Sequence, residues 1–363
     1  FNLTGSHTSP ELQKIEREIG PKLTAHRISI YQNMQLFARV DALMQRRAEL
    51  GLTGEQTEVL ERYHRAFVKS GAKLDEAGRA RLKAIAERST TLSIQFGQNV
   101  LADEQVFVMV LPDDAATAGL PPAIKSAAAE TARAHGHDGQ HAITLARSSI
   151  EPFLQYAARR DLRETAHKAW TSRGANGGKT DNRAIMAELL RLRAESAKLL
   201  GFKNFAESSL EFSMAKTPAA VRKLLMDVWP AARARAGEER AELQKAVAAE
   251  GANVPVAAWD WRYYSEKVRK AKFDLDEAEI KPYLQLDSMI TAAFDVATRL
   301  FGLTFEEKQG LPVYHPDVGV FEVTREGRQA VVGDRVVDGG AYAVLGELIG
   351  ERVTVEPDDP DRV

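Results

Sequence analysis

Three of the chain's eight histidines fall in one short window, HGHDGQH, residues 135–141. Within it His137 and His141 stand four positions apart, with the acid Asp138 directly after the first. Two imidazoles one helical turn apart can grip a single Zn²⁺, and a Glu between them can activate the bound water; this is the HExxH arrangement. HDGQH differs from it at the acid by one methylene. That chemistry needs a helix beneath the histidines, and here the helix is disfavoured. Gly136 and Gly139 flank Asp138, and two glycines cost roughly 2 kcal/mol of helix propensity against alanine. Asp-Gly is a hairpin-turn signal, and a strand pattern follows at once. Asp is also shorter than Glu and reaches a water less well. The window reads as a solvated turn, and neither His137 nor His141 is assigned as a metal ligand.

The remaining chemistry-bearing residues are scattered. His7, His26, His64, His167 and His315 are isolated, and no His-Glu dipeptide occurs. The chain has no cysteine, so thiolate ligands, thiol nucleophiles and disulfides are excluded. RGANGG, residues 173–178, lacks the lysine and the preceding strand of a phosphate loop. Ser148 and Ser149 have no nucleophile-elbow glycines around them. No carboxylate pair stands out from the acids spread over helical faces. The residues therefore name no catalytic or metal-binding group and leave any substrate-binding residues unassigned.

The elements that would position a site are mostly helical. In residues 75–100, Leu82, Ile85, Leu92 and Phe96 recur at helical spacing. Residues 52–68 open with Thr53 and Gln56 in capping-box spacing and carry an apolar stripe through Leu60, Tyr63 and Phe67. Residues 181–201 have a cap at Asp181, apolar Ile185, Leu189, Leu192 and Leu199, and a stop at Gly201. Residues 217–251 start with Thr217 as N-cap and Pro218 at the first helical position. Pro230 is expected to kink or divide this helix, and Gly251 to end it. A later helix through Met289, Ala292, Phe294, Val296 and Leu300 stops near Gly302. Strand signals are few: residues 106–112 and 142–148, with an Ala-rich helix between them.

At 363 residues, 44% hydrophobic and 28% charged, the chain has globular composition and length for two lobes. A net charge of -2 gives no basic surplus for nucleic acid or an anionic membrane, and no apolar run approaches a membrane span. The first residue is Phe1, so the sequence is expected to start inside a longer parent. Cytoplasm and bacterial periplasm both suit a chain without cysteine. Residues 330–363 are rich in Val, Gly and Asp and contain no Lys. Their DGG is a candidate hairpin turn, and their EPDDPDRV end reads as an exposed tail. This bias is what a GC-rich gene gives when read in a shifted frame.

Several long segments are similar to one family. FNLTGSHTSPELQKIEREIGPKLTAHR, LFARVDAL and FVKSGAKL resemble the middle region of bacterial peptidyl-dipeptidases. These are dipeptidyl carboxypeptidases of the thimet oligopeptidase, neurolysin and oligopeptidase A family. AITLARSSIEPFLQYAARRDLRETAHKAWTSRG and LLRLRAESAKLLGFKNFAE continue the likeness. So do residues 259–307, beginning WDWRYY, and VYHPDVGVFEVT, so that the resemblance runs from residue 1 to about 327.

The resemblance implies a mainly α, two-lobed metallopeptidase body with a small β-hairpin or sheet, in which one zinc cuts oligopeptides in a deep channel. It also places HGHDGQH in a hairpin turn. Residues 1–215 would form a helical lobe with the β element at about 105–148, residues 216–327 a helical segment leading toward the catalytic region, and 328–363 a divergent tail. In the family an HExxH helix, a later Glu ligand and tyrosines follow the HPDV segment; none has a counterpart among these residues. The expectation is a truncated, non-catalytic front part that binds no zinc itself. The alternative is a helical peptide-binding or regulatory module. Oligopeptides are the implied ligands, and the catalytic half or self-association through exposed apolar faces the implied contacts. Trp259, Asp260, Tyr263, Tyr264 and Tyr283 match family positions and read as packing and polar-network residues. Arg191 and Arg193 read as solvated or ion-paired.

Overall fold

The computed structural model describes residues 8–274, 277–325 and 328–335, the side chains of 277, 278 and 328–335 excepted. The chain divides into two compact units, Phe1–Asp274 and Leu275–Val363.

The first unit is built mainly of helices. Helix α1 (Pro10–Tyr31) is capped by the Ser9 hydroxyl, and α2 (Met34–Gln45) by Asn33. Helix α3 (Gly54–Lys69) carries the expected capping box. The Gln56 amide N–H donates to Thr53 Oγ1 at 3.2 Å, and the Thr53 N–H to Gln56 Oε1 at 3.0 Å. Phe37 of α2 and Phe67 of α3 meet with ring centroids 5.9 Å apart, and Tyr31 packs on Phe67 edge-on. Helix α4 spans Glu76–Val106 and runs six residues past the end of the 75–100 pattern.

Only Val108–Val110 (β1) of the segment 106–112 is strand, and it pairs antiparallel with Ala142–Thr144 (β2). Helix α5 (Pro122–Ala134) lies between them in sequence. The chain bends at Leu145–Ala146, so 142–148 is not one strand; α6 (Arg147–Tyr156) starts within it. Ile143, Leu145, Ile150, Phe153 and Leu154 form with Leu111 and Ala166 the main core. Ala166 belongs to α7 (Arg160–Thr171). At Gly119 the backbone has φ +84°, and a Cβ there would collide with the Tyr156 carbonyl oxygen. The Ala158 N–H donates to the Ala118 carbonyl beside it, at 2.9 Å. Only glycine allows this approach of two backbones.

Helix α8 (Arg183–Leu199) packs on α4 through Ile85, Leu92, Ile185 and Leu192. Two bidentate ion pairs, Arg81–Glu195 and Arg88–Glu188, flank that seam with N–O distances of 2.6–2.8 Å. The expected cap Asp181 does accept the Arg183 N–H at 2.9 Å, although Asn182 is the residue at the N-cap position. After α9 (Phe205–Leu210) comes α10 (Pro218–Ala249), capped by Thr217 Oγ1 accepting from the Ala220 N–H. Pro230, expected to kink or divide α10, does not divide it. It sits where every residue from Arg222 to Ala241 is exposed. Water can serve the carbonyl that loses its intrahelical donor, and the ring meets no packed neighbour. Helix α11 (Trp261–Phe273) closes the unit against α10, with Leu243, Val247, Val256, Tyr263 and Tyr264 as a second core.

The second unit holds α12 (Glu277–Ile280), α13 (Leu286–Phe301) and an antiparallel sheet in the order β3 (Leu303–Glu307), β4 (Gly319–Arg325), β5 (Arg328–Arg335). Phe294 of α13 stacks on Phe305 at 4.2 Å and meets Phe321 edge-on. This sheet was not anticipated. Its strands carry a charged residue at seven of their twenty positions, which breaks up the apolar runs. The first residues of the segment read as a divergent tail form β5; the DGG turn and the EPDDPDRV end lie outside the described residues, as does His7.

Candidate functional site

The histidine window connects α5 to β2. His135 is the C-cap of α5, its N–H returning to the Thr131 and Ala132 carbonyls. The His137 N–H donates to the Ala132 carbonyl at 2.8 Å, Gly136 and Gly139 have φ +80° and +76°, and the His141 carbonyl accepts from Leu111 at the end of the sheet. The reading of a turn holds. It is a helix-to-strand turn, however, and not a hairpin, because α5 is inserted between the two strands. His137 and His141 therefore do not project from one helical face. Among the described residues no group of three or more His, Asp or Glu side chains is arranged to hold a metal ion. The donors at HDGQH do not form the one-faced pair that a zinc site of the HExxH kind needs.

The residues at 259–264 are brought together with partners a hundred positions away. Asp260 and Arg163 are each 1% exposed. Arg163 Nη2 donates to Asp260 Oδ1 at 3.0 Å; Arg160 donates from Nε and Nη2 at 2.9–3.1 Å; the Ala257 N–H donates to Oδ2 at 3.0 Å. Arg163 also donates to the carbonyls of Ala157, Ala158 and Trp259, and its guanidinium lies 4.0 Å from the centre of the Tyr263 ring. Burial alone would raise the Asp260 carboxyl, but the hydrogen bonds from Arg160, the Ala257 N–H and Arg163 outweigh it and hold the group below the usual carboxylate range. A carboxylate with its lone pairs so fully engaged is a clamp, not a proton acceptor.

Next to it the Tyr264 hydroxyl donates to Glu250 Oε2 at 3.0 Å, and Lys267 pairs with the other Glu250 oxygen. Burial, and then the Glu250 hydrogen bond and charge, push the phenol up to about 12. Trp259 lies under two cations, with the Arg160 guanidinium at 5.6 Å and the Lys168 ammonium at 5.3 Å from its ring. Trp259, Asp260, Tyr263 and Tyr264 thus form a packing and polar network, as the sequence reading had it. The sequence reading missed Arg160, Arg163 and Glu250. The i, i+3 spacing of the two arginines in RRDLR was the available signal, and nothing local linked it to Asp260. Tyr283, in the second unit, is 80% exposed.

The two remaining arginines separate. Arg191 is an exposed residue on α8, near enough to Glu188 to lower that carboxyl after the larger effect of Arg88. Arg193 lines a groove of about 360 Å³ between α4 and α8 with Ser93, Phe96, Met186, Leu189 and Leu190. Its guanidinium lies 5.2 Å from the Phe205 ring centre. An apolar trough edged by one fixed cation suits an apolar side chain next to a carboxylate.

Residues 153–341 match the model of peptidase family M3. The chain is 39% identical over 324 residues to dipeptidyl carboxypeptidase of Escherichia coli strain K12, covering 89% of this chain and 48% of that protein. Against dipeptidyl carboxypeptidase of Salmonella typhimurium the identity is 40% over 324 residues, with the same coverage. Against oligopeptidase A of Escherichia coli it is 31% over 332 residues, 90% of this chain and 49% of that protein. The chain spans about half the length of the curated relatives it matches. Among the described residues no helix is long and apolar enough to cross a membrane.

Proposed function

Because this chain belongs to peptidase family M3, we propose that it forms the non-catalytic helical part of an oligopeptidase that releases C-terminal dipeptides from oligopeptides. The observation that carries this reading is the collinear match to two proteins named dipeptidyl carboxypeptidase over 89% of the chain, in a sequence of 363 residues with no HExxH. The buried Asp260–Arg163 clamp supports it: the family positions at 259–264 serve to fix α7 against the α10–α11 connection. They do not present a free acid or base. In this reading zinc belongs to the family and is not held by these residues.

Purified protein, supplied with zinc and a free-carboxyl tetrapeptide, is expected to give no dipeptide by liquid chromatography. Chelator-sensitive release would overturn the assignment, and its survival in His137→Ala/His141→Ala would place the metal elsewhere in the chain. A second reading, peptide holding without cleavage, is favoured by the α4–α8 groove. It predicts that the tetrapeptide binds in equilibrium dialysis and that Arg193→Ala weakens it.

A further inference from the structure

One titratable group of the α7 seam is outside the network around Asp260. Arg163, His167 and Trp170 follow at i, i+4 and i+7 and so share one face of α7. That face meets the start of α11 and the residues before it. Arg163 donates to the Trp259 carbonyl and to Asp260, the His167 ring stands edge-on to the Trp259 ring with centroids 6.3 Å apart, and the Arg262 guanidinium lies 5.7 Å from the centre of Trp170. His167 is half-buried, and its ring makes no hydrogen bond among the described residues. The buried Trp259 Nε1–H lacks an acceptor as well. The charges nearby are mainly positive. On α7 they are Arg160, Arg163 and Lys168, with Glu164 held by Lys168. Asp260, before α11, is taken by Arg160 and Arg163. On α11, Arg262 is the charge that acts directly on the imidazole, and Glu266 pairs with Arg269. On α6, Glu151 pairs with Arg262 at 3.1 Å and with Arg147 at 3.4 Å.

We propose that His167 is a proton-operated latch: neutral, it packs α7 onto the Trp259–Arg262 segment, and protonated, it loosens that seam. Protonation sets a new cation beside Arg262 and against a Trp259 ring that already carries Arg160 and Lys168. It also removes the single acceptor lone pair of the neutral imidazole, beside an indole N–H that has no acceptor. Burial, and then the Arg262 charge, hold the imidazole below its usual range. An unfolded imidazole titrates at about 6.5. The latch is therefore whole above that pH, weakens as pH falls below it, and levels off once the folded imidazole is protonated. The contribution of Asp260 is lost only below about pH 3.9, so the latch acts first on acidification. The inference rests on the α7–α11 seam and does not depend on the peptidase reading.

The test uses the whole chain. Its urea midpoint is expected to fall between about pH 7.5 and about pH 5, the range in which histidine titrates. His167→Phe, which keeps a ring against Trp259, and His167→Gln, which keeps a polar group, are each expected to lose most of that fall. His135→Gln/His137→Gln, at two exposed positions, should keep it. Under native conditions the tryptophan emission of the parent should drop over the same range, because an imidazolium quenches an adjacent indole. The drop should be absent in His167→Phe and in Trp259→Phe. If His167→Phe fails to fold, His167→Gln carries both measurements. The same pH dependence in the parent and in the His167 variants overturns the proposal. So does loss of the fall in His135→Gln/His137→Gln, or an emission drop that survives substitution of His167. In a nuclear magnetic resonance titration the His167 ring should protonate below the ordinary imidazole range; a ring that titrates within or above that range also overturns it.

Discussion

Replacing Asp260 tests whether the buried node is a structural clamp. In Asp260→Ala two guanidinium groups lose their carboxylate, but they are not equivalent. Arg160 has a side chain 37% exposed and can turn to water, whereas Arg163 is 1% exposed and cannot. Breaking a buried pair by removing one partner costs about 3–5 kcal/mol. Arg163 keeps three carbonyl acceptors and the Tyr263 ring, so the loss should fall at the lower end, about 3 kcal/mol. Asp260→Asn keeps the shape and one acceptor but turns an amide N–H toward an arginine, and should cost about 2 kcal/mol. Arg163→Met in the Asp260→Ala background should recover part of the loss, because it removes the stranded charge. Urea unfolding of the four proteins measures this. The pH dependence has a fixed sign. The folded carboxyl titrates below its unfolded value of about 3.9, so its contribution is complete above that pH and is lost as pH falls through the folded value. The acid limb should therefore flatten in Asp260→Asn. A loss below about 1 kcal/mol for Asp260→Ala, the level of an exposed pair, would refute the clamp.

Two further outcomes follow from local geometry. Gly119→Ala combines a left-handed φ with a collision against a backbone carbonyl that cannot swing away, and should cost about 3 kcal/mol; a neutral thermal melt would show that the α6–α7 corner is loose. Tyr264 titrates at about 12 when folded and at about 10 when unfolded, so its contribution is present below pH 10 and lost as pH rises through the folded value. Tyr264→Phe should accordingly shrink the fall in stability over that range, and a Tyr264 that ionises with the exposed tyrosines in a near-ultraviolet titration would contradict the burial argument.

What the sequence disclosed and what it withheld divide by the range of the interaction. The Thr53–Gln56 box and the Thr217–Pro218 start are contacts within four residues, so residue type at fixed spacing was sufficient to place them. The same holds for the turn at HDGQH, where two glycines argue against a helix. The Ala-rich helix between the two strand signals was legible as well; the register that sets Val108 opposite Thr144 is one that no local pattern encodes. The β3–β5 sheet escaped notice because its apolar side chains are few and spread over separate elements: Val320 and Val323 of β4, with the rings Phe294, Phe305 and Phe321. Of the two effects expected at Pro230, the division does not occur. Its local rule is sound for a packed helix, and α10 at that point is packed against nothing among the described residues.

Asp260 shows why the family positions at 259–264 are better read as structural than as catalytic. A group whose hydrogen-bonding capacity is filled inside the chain has little left for a ligand. Asp260 takes donors from Arg160, Arg163 and Ala257, and Glu250 takes Tyr264 and Lys267. Their value lies in fixing α7, α10 and α11 to one another.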